Sequence, residues 1–202
     1  MFFNKRREAA ILRVLAAALG AFLMASSGTL AARHSSQILY AGMPLAANPG
    51  IDSACQSVMD AGDKLFTTPY HMFGTEAGAG VGNKKTMSSE MIFAGGVQYV
   101  LMNGKWGPSP LSLQESKDLV ARNKKTAKTS CHYVRNESVN GESAALYSTH
   151  DPTPHGNVDS QIWVSKSKGL ILRQEMDIDT GGGHKTHMSV RYEYNNVQAP
   201  KH

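Results

Sequence analysis

The stretch Leu170–Tyr194, LILRQEMDIDTGGGHKTHMSVRYEY, decides the fold. Leu170, Leu172, Met176 and Ile178 alternate with Ile171, Arg173, Glu175, Asp177 and Asp179. Beyond Gly181-Gly182-Gly183, Met188, Val190, Tyr192 and Tyr194 alternate with His187, Ser189, Arg191 and Glu193. A period of two, one series apolar and the other polar, marks strands with one face on a core and one in water. The glycine run between them makes the pair an antiparallel hairpin.

The same period extends upstream. Cys131, Tyr133 and Arg135 alternate with His132, Val134 and Asn136. Asn140-Gly141 is a hairpin turn into Ala144, Leu146 and Ser148, which alternate with Ala145, Tyr147 and Thr149. Ile162 and Val164 flank Trp163 before Ser167-Lys168-Gly169 turns the chain. Further back, Tyr70 and Met72, then Met87, Met91 and Phe93, then Val97, Tyr99 and Leu101 mark three strands, and Asn103-Gly104 turns into Lys105-Trp106. The segment Gly78-Ala79-Gly80-Val81-Gly82-Asn83-Lys84 lacks the Gly-Lys-Ser/Thr of a phosphate loop and leads into a strand, so it reads as a hairpin loop.

Two helical patterns complete the domain. Ile51, Ala54, Cys55, Val58, Met59, Leu65 and Phe66 lie on one stripe at a 3.6-residue period, with Asp52 or Ser53 as cap and Pro69 as stop. Ser112-Leu113-Gln114-Glu115 is a capping box opening a helix to about Asn123, with Leu113, Val120 and Ala121 facing inward. The reading is α+β: a curved antiparallel sheet of about seven to nine strands in an open half-barrel, with an N-terminal helix and a second helix inserted between the sheet halves.

The first residues set the compartment. Lys5, Arg6, Arg7 and Arg13 precede an apolar run from Val14 to Met24, and small residues around Thr29 to Ala32 offer cleavage points. The run falls short of the roughly 20 residues a membrane span needs, so residues 1–32 read as a cleaved signal peptide, leaving no stable anchor. No cysteine follows the run to carry a lipid. Residues 33–50 read as a flexible lead-in and 51–199 as a single domain. Without the leader's four basic side chains and one acid, the formal charge of +5 over 202 residues falls to about +2. That removes most of the case for a nucleic-acid partner.

Cys55 and Cys131 are the two cysteines, and an oxidising compartment favours pairing them. A loop of about 76 residues closed this way is worth roughly 2–4 kcal/mol in measured cases. Without a CxxC motif, a catalytic thiol is not expected.

Particular segments carry a resemblance. Leu65-Phe66-Thr67-Thr68-Pro69, the pair Glu90-Met91-Ile92 and Val97-Gln98-Tyr99-Val100, Cys131-His132-Tyr133 through Val139-Asn140-Gly141-Glu142, and Gln161-Ile162-Trp163-Val164-Ser165-Lys166 through Gly169-Leu170 resemble proteobacterial periplasmic proteins of unknown function. The pattern is similar to the periplasmic lipoprotein-carrier (LolA/LolB-like) superfamily over residues 51–198. What the resemblance implies is an open half-barrel with helices as a lid over an apolar cavity, and binding of acyl chains or of a protein partner. It carries over no ligand-binding residue.

If the cavity exists, its expected lining is Met87, Met91, Phe93, Leu172, Met176, Met188, Val190 and Tyr192, with Leu113 and Val120 on the lid. Methionine suits adaptable apolar surfaces; the alternative is that these side chains simply fill the interface between sheet and helices. No G-x-S-x-G or H-E-x-x-H motif is present, so an enzyme is not expected. His150 and His155, with Asp151 and Asp159, and His184 with His187 are the candidate metal ligands, in Pro- or Gly-rich segments without helical spacing; no metal or other cofactor is expected. Asp177 and Asp179 are expected to pair across strands with Arg173 and Arg191.

Three functions follow. The first is a periplasmic, monomeric, non-catalytic binding or carrier domain for an apolar or lipid-like ligand, with a lipid or lipoprotein as partner. The second is an envelope protein-interaction or stress-regulatory module of the same fold; the third is a metal-binding protein using the loop histidines.

Overall fold

In a computed structural model, residues 53–78, 86–126, 129–153, 156–181 and 184–201 are described. Residues 1–52, which include the expected signal peptide and lead-in, lie outside them. A 3₁₀ turn at Ser53–Cys55 leads into α1 (Gln56–Lys64), followed by β1 (Tyr70–Gly78), β2 (Thr86–Ala94), β3 (Val97–Met102) and β4 (Lys105–Pro108). Then come α2 (Leu113–Thr126), β5 (Ser130–Val139), β6 (Glu142–Thr153), β7 (Gly156–Ser165), β8 (Ile171–Asp179) and β9 (Lys185–Glu193).

The strands form one sheet in the order β4-β3-β2-β1-β9-β8-β7-β6-β5, antiparallel throughout. The sheet does not close; with its two helices it is an α+β open half-barrel. Two meanders, β1 to β4 and β5 to β9, meet along the β1–β9 pair, so the strands joined by α2 are the opposite edges of the sheet. Flat, nine strands would span roughly 38 Å at about 4.8 Å per step. A helix of 14 residues is about 21 Å long, and with short links it bridges the edges of a curled sheet.

Turn chemistry fixes the registers. Asn103-Gly104 and Asn140-Gly141 have positive φ at both residues, at 52° and 75° and at 52° and 83°. That geometry joins strands whose twist is right-handed. Gly95-Gly96 does the same, placing Phe93 opposite Gln98 and Met91 opposite Val100. The buried face of β3 is therefore Gln98 and Val100, whereas Val97 is 40% exposed; the expected Val97/Tyr99/Leu101 series faces the other way.

One sheet face carries the helices and the core. Cys55, Val58, Ala61 and Leu65 of the α1 segment pack with Tyr70, Met72, Met91, Phe93, Ile162, Val164, Ile171, Met176, Met188, Val190 and Tyr192. Burying that many large side chains, each worth about 1.5–3 kcal/mol, is the main driving force for folding. The α-helix proper is shorter than its apolar stripe: its cap position is Cys55 with no side-chain cap bond, and Leu65 and Phe66 sit in the turn before Pro69. Its start is held covalently, because Cys55 and Cys131 form a disulfide, Cα atoms 6.2 Å apart. Its end is held by Lys64 Nζ, which donates to the Lys168 carbonyl in the β7–β8 turn at 2.9 Å.

The capping box of α2 is present: the Glu115 carboxylate accepts from the Ser112 amide at 2.8 Å, and Ser112 Oγ accepts from the Glu115 amide at 3.2 Å. Its inward residues are Leu113, Ser116 and Val120, whereas Ala121, expected to face inward, is exposed. Ser116 Oγ donates to Gln98 Oε1 at 3.4 Å, linking the helix to β3.

Two bulges, at Tyr133/Arg135 and Trp163/Val164, interrupt the alternation. Past the first, Arg135 stands opposite Leu146 and not on the Cys131/Tyr133 face. The second lets Ile171 join the helix-side core while Leu172 packs with Ala144, Leu146 and Trp163 in a smaller cluster on the helix-free face.

Candidate functional site

Cross-strand partners place seven side chains in one row on the helix-covered face: Met87, Glu76, Met188, Met176, Ser160, Thr149 and Cys131. Alternation on each strand turns these toward the helices, and the registers set them side by side. Met176 and Met188 are buried, and Met87 is half-buried at the row's end. Glu76 is 8% exposed, and burial pushes its carboxyl above the usual carboxylate range. Ser160 Oγ and Thr149 Oγ1 are buried and have no hydrogen-bond partner among the described residues. Such groups cost about 1–3 kcal/mol each, which makes this the least satisfied part of the apolar face.

Of the expected cavity lining, Met91, Phe93, Met176, Met188, Val190 and Tyr192 come together in the core cluster under α1. Leu113 packs against that cluster from α2, and Val120 is buried on α2 outside it. Met87 lies on the same face beyond the cluster, paired with Glu76. Leu172 is not brought to this face; the bulge sends it to the other one.

The helix-free face holds a cleft of about 490 Å³ that the sequence reading missed. Its floor is a second row of cross-strand partners, Phe73, Arg191, Arg173 and Trp163 on β1, β9, β8 and β7. The end of β5 and the turn after it, Glu137 to Asn140, form its wall. Arg173 Cζ stands 5.0 Å from the Trp163 ring centroid and Arg191 Cζ 4.4 Å from that of Phe73. Trp163 Nε1 donates to Glu137 Oε2 at 2.6 Å, and Arg135 Nε donates to Glu137 Oε1 at 2.6 Å. These bonds, the tryptophan's first, hold the Glu137 carboxyl below the usual range. The sequence signal was the pair of arginines on the wet faces of β8 and β9; the register that sets them side by side was not readable.

The expected pairing of those arginines with Asp177 and Asp179 is not made. Each bonds a glutamate two residues along its own strand, Arg173 to Glu175 at 2.7 Å and Arg191 to Glu193. Asp177 instead takes His187 Nδ1 at 2.8 Å and Asp179 faces Lys185 at 3.8 Å, because those are their cross-strand neighbours.

The histidines also differ from expectation. His150 lies within β6 and His187 within β9, not in loops, and with Asp159 and Asp177 they form a row in the order His150, Asp159, Asp177, His187. Each imidazole is engaged by a carboxylate, His150 Nδ1 by Asp159 at 2.7 Å and His187 by both Asp177 and Glu175. The Asp177 hydrogen bond chiefly raises the His187 pKa. His184 is exposed, and His155 lies outside the described residues. Among the described residues, no three His, Cys, Asp or Glu side chains come together as a metal-binding group.

No protein-family model and no curated protein matches this chain. Among solved structures it is similar to LprF from Mycobacterium bovis, at 10% identity over 75% of this chain and 98% of that one, with a TM-score of 0.43. It is also similar to a domain from Vibrio parahaemolyticus named for outer membrane lipoprotein sorting, at 7% identity over 65% of this chain and 87% of that one, with a TM-score of 0.22. At those values the likenesses carry no statement about ligand or partner. The class defined here rests on the sheet itself: an open antiparallel half-barrel with helices on one face.

Proposed function

We propose that this chain is an exported, monomeric, non-catalytic binding or carrier domain of the periplasm that takes an apolar or lipid-like ligand on the helix-covered face. The supporting observation is the row of Met87, Glu76, Met188, Met176, Ser160 and Thr149. Methionines accommodate apolar chains of varied shape, and two unpartnered hydroxyls beside them suit the polar end of an amphipathic molecule. Residues 1–32 would direct export and be removed; among the described residues no helix is long and apolar enough to cross a membrane.

The test uses the full precursor expressed with its leader. Mass spectrometry of the exported protein should give a mature N-terminus after Ala31 or Ala32, and native spectra should show a co-purified lipid. An uncharged probe, N-phenyl-1-naphthylamine, should bind saturably, and Met87→Arg at the half-buried end of the row should weaken it about tenfold by placing a charge on an apolar path. An uncleaved leader would overturn the export part. Absence of both lipid and saturable probe binding would overturn the carrier part. A second reading, an envelope protein-interaction module, draws on edge strand β5, where Tyr133 and Val134 are 41% and 38% exposed; capture of an envelope protein lost on Tyr133→Ser would favour it.

A further inference from the structure

Arg173 and Arg191 are directly opposite each other across β8 and β9, on the same face of the sheet. Like charges at that spacing repel, and strand pairs ordinarily avoid them. Each side chain leans away from the other, Arg173 over Trp163 and Arg191 over Phe73, so the row reads ring, guanidinium, guanidinium, ring. Stacking on the rings holds two planar, permanently charged forks in fixed places at the floor of a concave site. The lining holds these two cations and the carboxylate of Glu137, which Trp163 and Arg135 occupy, while Glu175 and Glu193 each bond the arginine two residues away on their own strand. Val139 of the wall and the two rings supply apolar surface beside the charge. A volume of about 490 Å³ is that of a small-molecule site.

We propose that the helix-free face carries a second ligand site, separate from the face assigned above, in which Arg173 and Arg191 together receive a carboxylate or phosphate head and Trp163, Phe73 and Val139 contact its apolar body. Guanidinium forks match the paired oxygens of either anion. An oxyanion between the two arginines joins the Glu175 and Glu193 carboxylates in offsetting their mutual repulsion, because each five-donor guanidinium fork has N–H groups beyond those its own glutamate takes. Because the site lies on the opposite face from the methionine row, it stands or falls independently of the carrier reading.

The chain has two tryptophans, so Trp106→Phe leaves Trp163 as the sole indole reporter. In that background, octyl phosphate and octanoate should each change Trp163 fluorescence saturably, and the stronger of the two identifies the head group. Inorganic phosphate and octanol should each bind at least about tenfold more weakly, because each lacks half of the recognised chemistry. Arg173→Gln and Arg191→Gln should each weaken octyl phosphate about tenfold or more, with thermal unfolding checked for both variants. Val139→Phe should block the cleft while leaving both arginines in place and Trp163 the sole indole, so the proposal stays testable if an arginine variant fails to fold. The proposal is overturned if neither amphiphile gives a saturable response, or if octanol or inorganic phosphate matches octyl phosphate. Binding indifferent to both arginine replacements and to Val139→Phe would overturn it as well.

Discussion

Ser160 and Thr149 are buried hydroxyls without a partner among the described residues, and a buried donor left unmade costs more than a made bond returns. Replacing such a group with an apolar one of similar size removes the cost. Ser160→Ala should leave stability unchanged or raise it by up to about 2 kcal/mol in urea unfolding. A loss of more than about 1 kcal/mol would mean the hydroxyl is satisfied in the folded protein. His187 behaves differently. The Asp177 hydrogen bond and the nearby Glu175 raise its pKa above the ordinary histidine value. The stability it contributes is therefore full below that ordinary value and disappears as pH rises through the raised one. The side chain is half exposed, so the effect is small. The difference in urea midpoint between the native protein and His187→Gln, followed from about pH 5 to 9, should shrink toward zero at the alkaline end. A difference that grew with pH would show that the sign is wrong.

At the scale of elements, α1 depends on its two ends. Nine residues are too few for an isolated helix to persist in water, so its buried stripe, the Lys64 bond and above all the disulfide to β5 keep it in place. Cys55→Ser with Cys131→Ser should cost about 2–4 kcal/mol, read as a shifted urea midpoint, and hydrogen exchange should quicken first in α1. A change below about 0.5 kcal/mol would show that packing alone fixes the helix. Element boundaries and pairings were legible where turn chemistry was explicit, as at Asn103-Gly104 and Asn140-Gly141. They were misread where a bulge intervened. Leu172 sits in an alternating run, yet the extra residue at the Trp163/Val164 bulge reverses its face, and nothing in the alternation of β8 alone announces that. The face of β3 was legible in principle: with Gly95-Gly96 as a two-residue turn, Gln98 and Val100 must share the face of Phe93 and Met91.

Across the whole molecule, the half-barrel was readable from the number of amphipathic strands and the position of the inserted helix. What lies beside what was not. The Phe73, Arg191, Arg173 and Trp163 row draws on four strands spread along most of the domain, and only the β1–β9 pairing brings the first of them to the rest. Periodicity within one strand says which face a side chain takes; it carries no information about which distant strand will be its neighbour. The helix-covered face was found because each strand announces its own apolar series. The opposite cleft was missed because it exists only as a relation between strands.

That central pairing also sets the order of events as the chain emerges. Met72 and Tyr192 are partners about 120 residues apart, a separation that makes their contact slow to form. A chain threaded out from its N-terminus presents β1 to β4 long before β9 appears, with the inner edge of β1 unpaired and ready to accept a foreign strand. The bond between Cys55 and Cys131 can close once β5 is out, while β6 to β9 are still to follow. A bond made at that stage would act as an early clasp, holding the two halves near each other during the interval in which the molecule is most open to aggregation.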